Sequence, residues 1–273
     1  MAISSLIAIG WISAGFGLAL LWLWQRRHGD AGIADVGWAA GVGILAVWYA
    51  VAGEGLPARR LLVASLTGIW AARLAFYILT DRVLEGPEDG RYQELRASWG
   101  ERFQTRIFVF FQGQAGAAVL FSLPPLVAMG AVRAGLDLLD LLGAGVWLAA
   151  IGGESLADRQ LARFRADPAN RGRTCRVGLW RYSRHPNYFF EWLHWWAYAL
   201  IGWSAPHFWV VIAAPFVMLI FVLFITGIPP TEARALASRG DDYRRYQRTT
   251  SAFFPWFPKP EHPAAERAPK GGR

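Results

Sequence analysis

Seven blocks of apolar residues, each close to membrane-spanning length, constrain this chain more than any other feature. They fall at about 3–24, 36–52, 61–80, 107–131, 136–157, 188–204 and 208–226. Roughly 20 residues of helix cross a bilayer core, and only helices or closed barrels satisfy their backbone polar groups in lipid. The expected fold class is therefore all-α: a polytopic bundle of seven transmembrane helices. The second and sixth blocks are short and read as tilted or partly spanning. Composition agrees, with 54% hydrophobic and only 18% charged residues, where soluble domains carry about a quarter charged.

Arginine placement orients the bundle. With seven helices, the segments 25–35, 81–106, 158–187 and the C-terminal region share one side, and most arginines lie there. The opposite loops hold little beyond Arg59, Arg60 and Arg133. The positive-inside rule then places the N-terminus outside and the C-terminus in the cytoplasm. Residues 1–257 are expected to form one transmembrane domain, and 258–273, rich in proline and polar residues, a disordered tail. The net charge of +8 is tied to helix ends, which argues against nucleic acid. One cysteine, Cys175, excludes an internal disulfide. The histidines lack metal-ligand spacing, so no metal site is expected.

Ionisable residues inside the blocks are costly and usually functional. Asp35 and Trp38 open the second block, Asp35 reading either as a helix N-cap or as an acid facing a cavity. Arg73, Tyr77 and Asp81 follow a spacing of four along the third, as a structural ion pair or a ligand contact. Glu154, Asp158 and Arg165 fall within roughly 40° on one helix face, either a solvated helix end or a wall that turns from acidic to basic. Asn187, Glu191, His194 and Tyr198 form one polar stripe, within about 60°, on an otherwise aromatic helix. Before this stripe, Arg163, Arg165, Arg171, Arg173, Arg176, Arg181 and Arg184 crowd around the turn "DPANRGR". Arginine's planar fork suits phosphate, so this region reads as a polyphosphate or nucleotide site leading into a polar crevice.

The stretch "RFRADPANRGRTCRVGLWRYSRHPNYFFEWLHWW", with "EDGRYQELRASWG" before it and "DDYRRYQRTTSAFFPWFPK" after it, resembles the bacterial branch of the steroid 5α-reductase family. The likeness runs from about Ala34 to Lys259 and is most specific at "GLWRYSRHPNYF". It implies a multi-pass reductase of the bacterial inner membrane, expected to be monomeric. Such an enzyme binds NADPH from the cytoplasmic side and reduces a double bond conjugated to a carbonyl in a lipophilic substrate drawn from the bilayer.

By that resemblance the cofactor residues are Arg73, Tyr77, Asp81, Arg82, Glu154, Asp158, Arg165, Arg173, Tyr182, Arg184, His185, Asn187, Glu191 and Tyr243. The catalytic candidates are Asp35, expected as a neutral acid that polarises the carbonyl, and Tyr92 as a hydroxyl donor. Trp38, Trp70 and His194 would meet the substrate. Trp70 stands where the family has a tyrosine, and Glu232 near a family histidine. The alternative is a membrane methyltransferase of the isoprenylcysteine carboxyl type using S-adenosylmethionine, to which "RHPNY" also fits. A transporter or lipid-binding protein is a third class, though no repeated pair of broken helices marks one.

Overall fold

The computed structural model describes residues 1–84 and 87–260, without the side chain of Arg82. Among these residues it is helical throughout and has no strand. The helices are α1 (Ile3–His28), α2 (Ile33–Ala52), α3 (Pro57–Ile78), α4 (Gly90–Trp99), α5 (Phe103–Met129), α6 (Leu138–Ala166), α7 (Pro186–Ile201), α8 (Trp209–Ile220), α9 (Ile228–Arg239) and α10 (Asp241–Thr249). Six helical stretches are long and apolar enough to cross a membrane: Ile3–His28, Ile33–Ala52, Pro57–Asp81, Gly90–Met129, Leu138–Ala166 and Trp209–Arg239. The expected block at 188–204 is α7, whose 16 residues extend about 24 Å at 1.5 Å per residue. Of the expected tail, residues 261–273 lie outside the described residues.

Local chemistry sets the helix ends. The first helix closes on Arg26, Arg27 and His28, and Gly29 takes the left-handed conformation at φ 85°. Basic residues there oppose the negative end of the helix dipole, and glycine adopts that conformation without a Cβ clash. α4 is capped by Asp89, whose side chain accepts the Arg91 backbone N–H. α3 runs on into a π-helical turn, Leu79–Leu84. Such turns are rare and often sit at functional positions. A second follows α8, at Phe221–Ile225.

The chain forms two compact units. The first comprises Met1–Leu148 and His194–Val217. Within it α2 is packed by α1, α3 and α5. The run "GWAAGVG" makes this possible. A Cβ on Gly43 would stand 2.6 Å from the Ala71 methyl, and one on Gly37 would stand 2.4 Å from Leu21 Cδ1. Small residues let helix backbones approach where no hydrophobic force drives them together.

At one end of this unit lies a buried ion cluster. Arg59 is fully buried and Asp140 1% exposed. The guanidinium meets the carboxylate twice, Nε to Oδ1 and Nη2 to Oδ2, each at 2.9 Å. Nη1 also donates to the Ala131 carbonyl at 2.9 Å. Arg133 adds a contact to Asp140 at 3.1 Å and donates to the Ile201 carbonyl at 3.0 Å. Two of the arginines assigned to the outer loops are thus internal ties that close the α5–α6 connection onto α3.

The second unit comprises Ala149–Leu193 and Met218–Arg273. Its frame is the end of α6, the 167–185 turns, the start of α7, and α9 with α10. Tyr246 is buried and donates from its hydroxyl to the carbonyls of Ser183, at 3.0 Å, and Trp180. Gly153 lies against the Phe190 ring, where a Cβ would approach to 2.4 Å.

Removing one partner of a buried pair leaves the other charge uncompensated, typically costing about 3–5 kcal/mol. Asp140→Ala should therefore destabilise the first unit by about that amount, read as the shift in chemical unfolding in detergent. A loss below about 1 kcal/mol would mean that Arg59 finds water or another acceptor.

Candidate functional site

The first unit gathers polar groups around Asp35. The N-cap of α2 is Gly32, with no side-chain cap. Asp35 lies in the first helical turn with its carboxylate directed elsewhere, so the N-cap alternative is removed. Oδ1 accepts the Tyr92 hydroxyl at 2.9 Å and Gln114 Nε2 at 3.0 Å. Oδ2 accepts Arg91 Nη2 at 2.9 Å. Asp89 holds Arg91 in place through its Nε at 3.2 Å. Glu88 fixes the facing loop by accepting the Ala31 N–H at 2.9 Å and Arg96 Nη2 at 2.9 Å. Three converging donors, one of them a guanidinium, make the carboxylate an acceptor. The hydrogen-bond donors of the cluster are Tyr92, only 1% exposed, Gln114 and Arg91.

Trp38 lies three residues along α2 from Asp35, a spacing that shares a helix face. Its indole N–H is buried and has no hydrogen-bond partner among the described residues. Trp70 meets Trp38 edge-on at 6.2 Å and lies 4.9 Å from the His194 ring. Trp70 and His194 are both fully buried. The three expected substrate residues therefore form one aromatic cluster, of which Trp38 is the half-buried member. Tyr198, the last residue of the expected stripe, accepts the Thr67 hydroxyl at 3.0 Å. Arg73 and Tyr77 are half-buried on α3, while Asp81 is exposed. Asp81 lies in the π-helical turn. Arg82's side chain lies outside the described residues.

The second unit holds the arginine-rich region. Asp167 turns the chain by accepting the Ala169 N–H at 2.9 Å, and Gly172 reverses it at φ 76°. The turn brings Arg165 at the end of α6 together with Arg171 and Arg173, and Arg239 joins them from α9 around a cleft of about 150 Å³. No acidic residue lines this cleft. Among the described residues none of the four guanidiniums forms a hydrogen bond or ion pair. Cys175 is buried in the wall. Burial pushes its thiol up from its ordinary value, while Arg165 and Arg239 pull the other way.

A clasp positions the two sides of the cleft. Asp242, three residues after Arg239, accepts the Thr174 N–H at 2.8 Å and Arg176 Nη2 at 2.9 Å. Burial raises its carboxyl, but Thr174 and Arg176 outweigh that effect and hold it below its usual range. From Arg165 back along α6, Asp158 accepts Asn187 Nδ2 at 3.2 Å. Seven helical residues separate Asp158 from Arg165, about 10 Å of rise. Glu154, 6% exposed, lies a further turn along α6, and half-buried Glu191 a turn beyond Asn187 on α7. The arginine-lined cleft and the carboxylate–amide group therefore share one helix.

Arg184, His185 and Tyr243 are engaged elsewhere, at Glu232 of α9. Its Oε1 accepts Arg184 Nε at 2.7 Å and the Tyr243 hydroxyl at 3.2 Å, and lies 3.1 Å from His185 Nε2. Oε2 accepts Gln247 Nε2 at 2.7 Å. Arg184 also donates to the Thr250 and Gln247 carbonyls. This hub joins α9 and α10 to the turn before α7. Tyr182 is half-exposed and packs on Phe257.

Sequence reasoning missed Arg91 and Gln114 at Asp35, and Arg239 at the cleft. Gln114 was legible as a polar residue within an apolar block, and Arg91 as the neighbour of Tyr92. Arg239 carries no local signal.

A family model described as "Protein of unknown function (DUF1295)" matches residues 21–250. No curated protein and no solved structure matches the chain.

Burial lowers the His185 pKa from its ordinary value of 6.5, partly opposed by the Glu232 contact. A depressed folded-state value means that the stability it contributes is complete above the unfolded value and is lost as pH falls through the folded one. The native protein should therefore melt progressively lower as pH drops below about 6.5. His185→Gln should flatten that slope, as checked by thermal unfolding in detergent across the range.

Proposed function

The chain belongs to the DUF1295 family, and from that premise we propose that it is a membrane-embedded, NADPH-dependent reductase. Its substrate is a lipophilic molecule with a carbon–carbon double bond conjugated to a carbonyl, steroid-like or another isoprenoid. The observation that carries the reading is the cleft of four arginines with no acid in its wall. Four guanidiniums without internal partners suit a phosphate-rich ligand, and the volume admits phosphate groups rather than a whole dinucleotide. S-adenosylmethionine carries a sulfonium cation and no phosphate, so the same cleft disfavours the methyltransferase alternative. Support also comes from the resemblance of "GLWRYSRHPNYF" to the steroid 5α-reductase family.

In this reading Arg165, Arg171, Arg173 and Arg239 hold the cofactor's phosphates. Asp158, Asn187, Glu154 and Glu191 provide hydrogen bonds to its ribose and amide groups. Carboxylates suit ribose hydroxyls as arginines suit phosphates. Bound there, the reduced nicotinamide supplies a hydride for the β-carbon, and a proton from the medium completes the saturated bond. Negative charge then grows on the substrate carbonyl oxygen. The candidate donors to that oxygen are the Trp38 N–H and the Tyr92 hydroxyl, which would turn from Asp35 to reach it. Asp35 orients Tyr92, and Arg91 balances the carboxylate. The bundle is read with α7 as a short seventh span, the N-terminus outside and the C-terminal segment cytoplasmic, in a bacterial inner membrane.

Calorimetry on the purified protein with NADPH and with S-adenosylmethionine, at two salt concentrations, tests the proposal. NADPH should bind, and more weakly at high salt, because exposed charge interactions are screened. Arg239→Ala should weaken NADPH binding about tenfold, in line with the ~1.5–3 kcal/mol of a hydrogen bond to a charged group. Preference for S-adenosylmethionine would overturn the reading. Tyr92→Phe should lower enone-dependent NADPH oxidation by about 10²-fold or more, with NADPH binding unchanged. Unchanged turnover would remove Tyr92 from the chemistry.

A further inference from the structure

The segment after α10, "SAFFPWFPKP", carries large aromatic residues outside any helix. Phe254 is 54%, Trp256 71% and Phe257 76% exposed. The segment is nevertheless fastened along its length. Arg184 N donates to the Ser251 carbonyl at 2.8 Å, the Ser183 hydroxyl to that of Phe253 at 2.8 Å, and Trp256 N to that of Tyr182 at 2.9 Å. Lys259 N returns to the Thr249 carbonyl at 2.8 Å. Prolines at 255, 258 and 260 keep the chain from coiling into a helix. The rings are thus presented on a strap whose course is fixed by the second unit itself. Phe254 packs on Trp192 and Phe189 of α7, at 5.6 and 6.1 Å, and Phe257 on Tyr182 at 6.0 Å.

Two constraints determine what these rings can face. An extended segment with unpaired backbone groups cannot lie against hydrocarbon tails. Three exposed aromatic rings in a row are equally unsuited to bulk water. The zone between, at the level of the lipid headgroups, accommodates both, and it is where tryptophan and tyrosine concentrate. Charge agrees with that placement. Arg181 adjoins Tyr182, and Arg248 and Lys259 flank the bond from Lys259 to Thr249. All three are exposed. Cations beside interfacial aromatics favour anionic headgroups.

We propose that residues 252–259 form an interfacial strap that lies at the headgroup level of an anionic bilayer, with Phe254, Trp256 and Phe257 at the boundary with the acyl chains. This interaction surface is independent of the cofactor cleft and of any reductase activity.

Depth-resolved quenching in the full chain tests it. Trp256→Cys is labelled with an environment-sensitive fluorophore and reconstituted in nanodiscs of zwitterionic lipid with or without anionic lipid. Cys175 is only 3% exposed and stays in place, or is replaced by alanine if it takes label. Ile12→Cys, on the exposed face of α1, reports the bilayer interior, and Asp241→Cys reports water. The label at 256 should be quenched most by a spin label near the top of the acyl chain and be shielded from aqueous iodide. Arg181→Glu with Lys259→Glu should reduce that shallow quenching in anionic nanodiscs by roughly twofold or more. A label at 256 that behaves like the one at 241 overturns the proposal, and so does one that is quenched as deeply as at 12. Shielding from both iodide and lipid labels would assign the surface to a protein partner and overturn it as well.

Discussion

A carboxylate at the start of a membrane helix is tolerable only when donors arrive with it, and Asp35 receives three. This requirement shapes the first unit around it. Arg91 and Tyr92 come from α4, a short helix whose register is set by its Asp89 cap, and Gln114 comes from the middle of α5. Neither helix needs a polar residue there for its own stability. Both carry one because α2 presents an acid, and the glycines of α2 let the neighbouring helices come close enough to deliver it. The tight glycine run and the polar cluster are two parts of one packing solution.

The second unit solves a different problem, which is how to keep some cations paired and others open. Glu232 gathers Arg184, His185, Tyr243 and Gln247 into a closed hub. Asp242 clasps Thr174 and Arg176. Both acids lie on the α9–α10 segment and satisfy groups from the 174–185 turns. What they leave aside are Arg165, Arg171, Arg173 and Arg239, whose side chains line a cleft without an acid. Residues that the sequence groups together as one basic run thus divide into two roles, and the division depends on acids about 50 to 70 residues further along the chain.

That separation explains what was legible in advance. Six of the apolar blocks and the turn at Asp167–Gly172 follow from local pattern, and those features appeared where the residues implied. Asp35 was legible as a costly acid, but its partners were not. Two of them, Gln114 and Arg91, stand 79 and 56 residues away. The π-helical turn that holds Asp81 was not legible, because nothing in "LTDRVL" announces it. Arg184, His185 and Tyr243 were expected as ligand contacts from a family resemblance. Their actual partner, Glu232, was singled out only as a departure from a family pattern.

The unpaired arginines then raise a question of energy rather than of pattern. Four like charges around one small cleft repel one another, and water screens most but not all of that repulsion. Folding gains nothing from bringing Arg239 to the other three, yet the Asp242 clasp does so, fixing the two chain segments on which Arg173 and Arg239 stand. An anion entering the cleft converts the repulsion into charge-assisted hydrogen bonds from a site already assembled, so little ordering remains to oppose binding. A clasp that holds like charges together in the absence of ligand makes physical sense if a polyanion is what the cleft is built to receive.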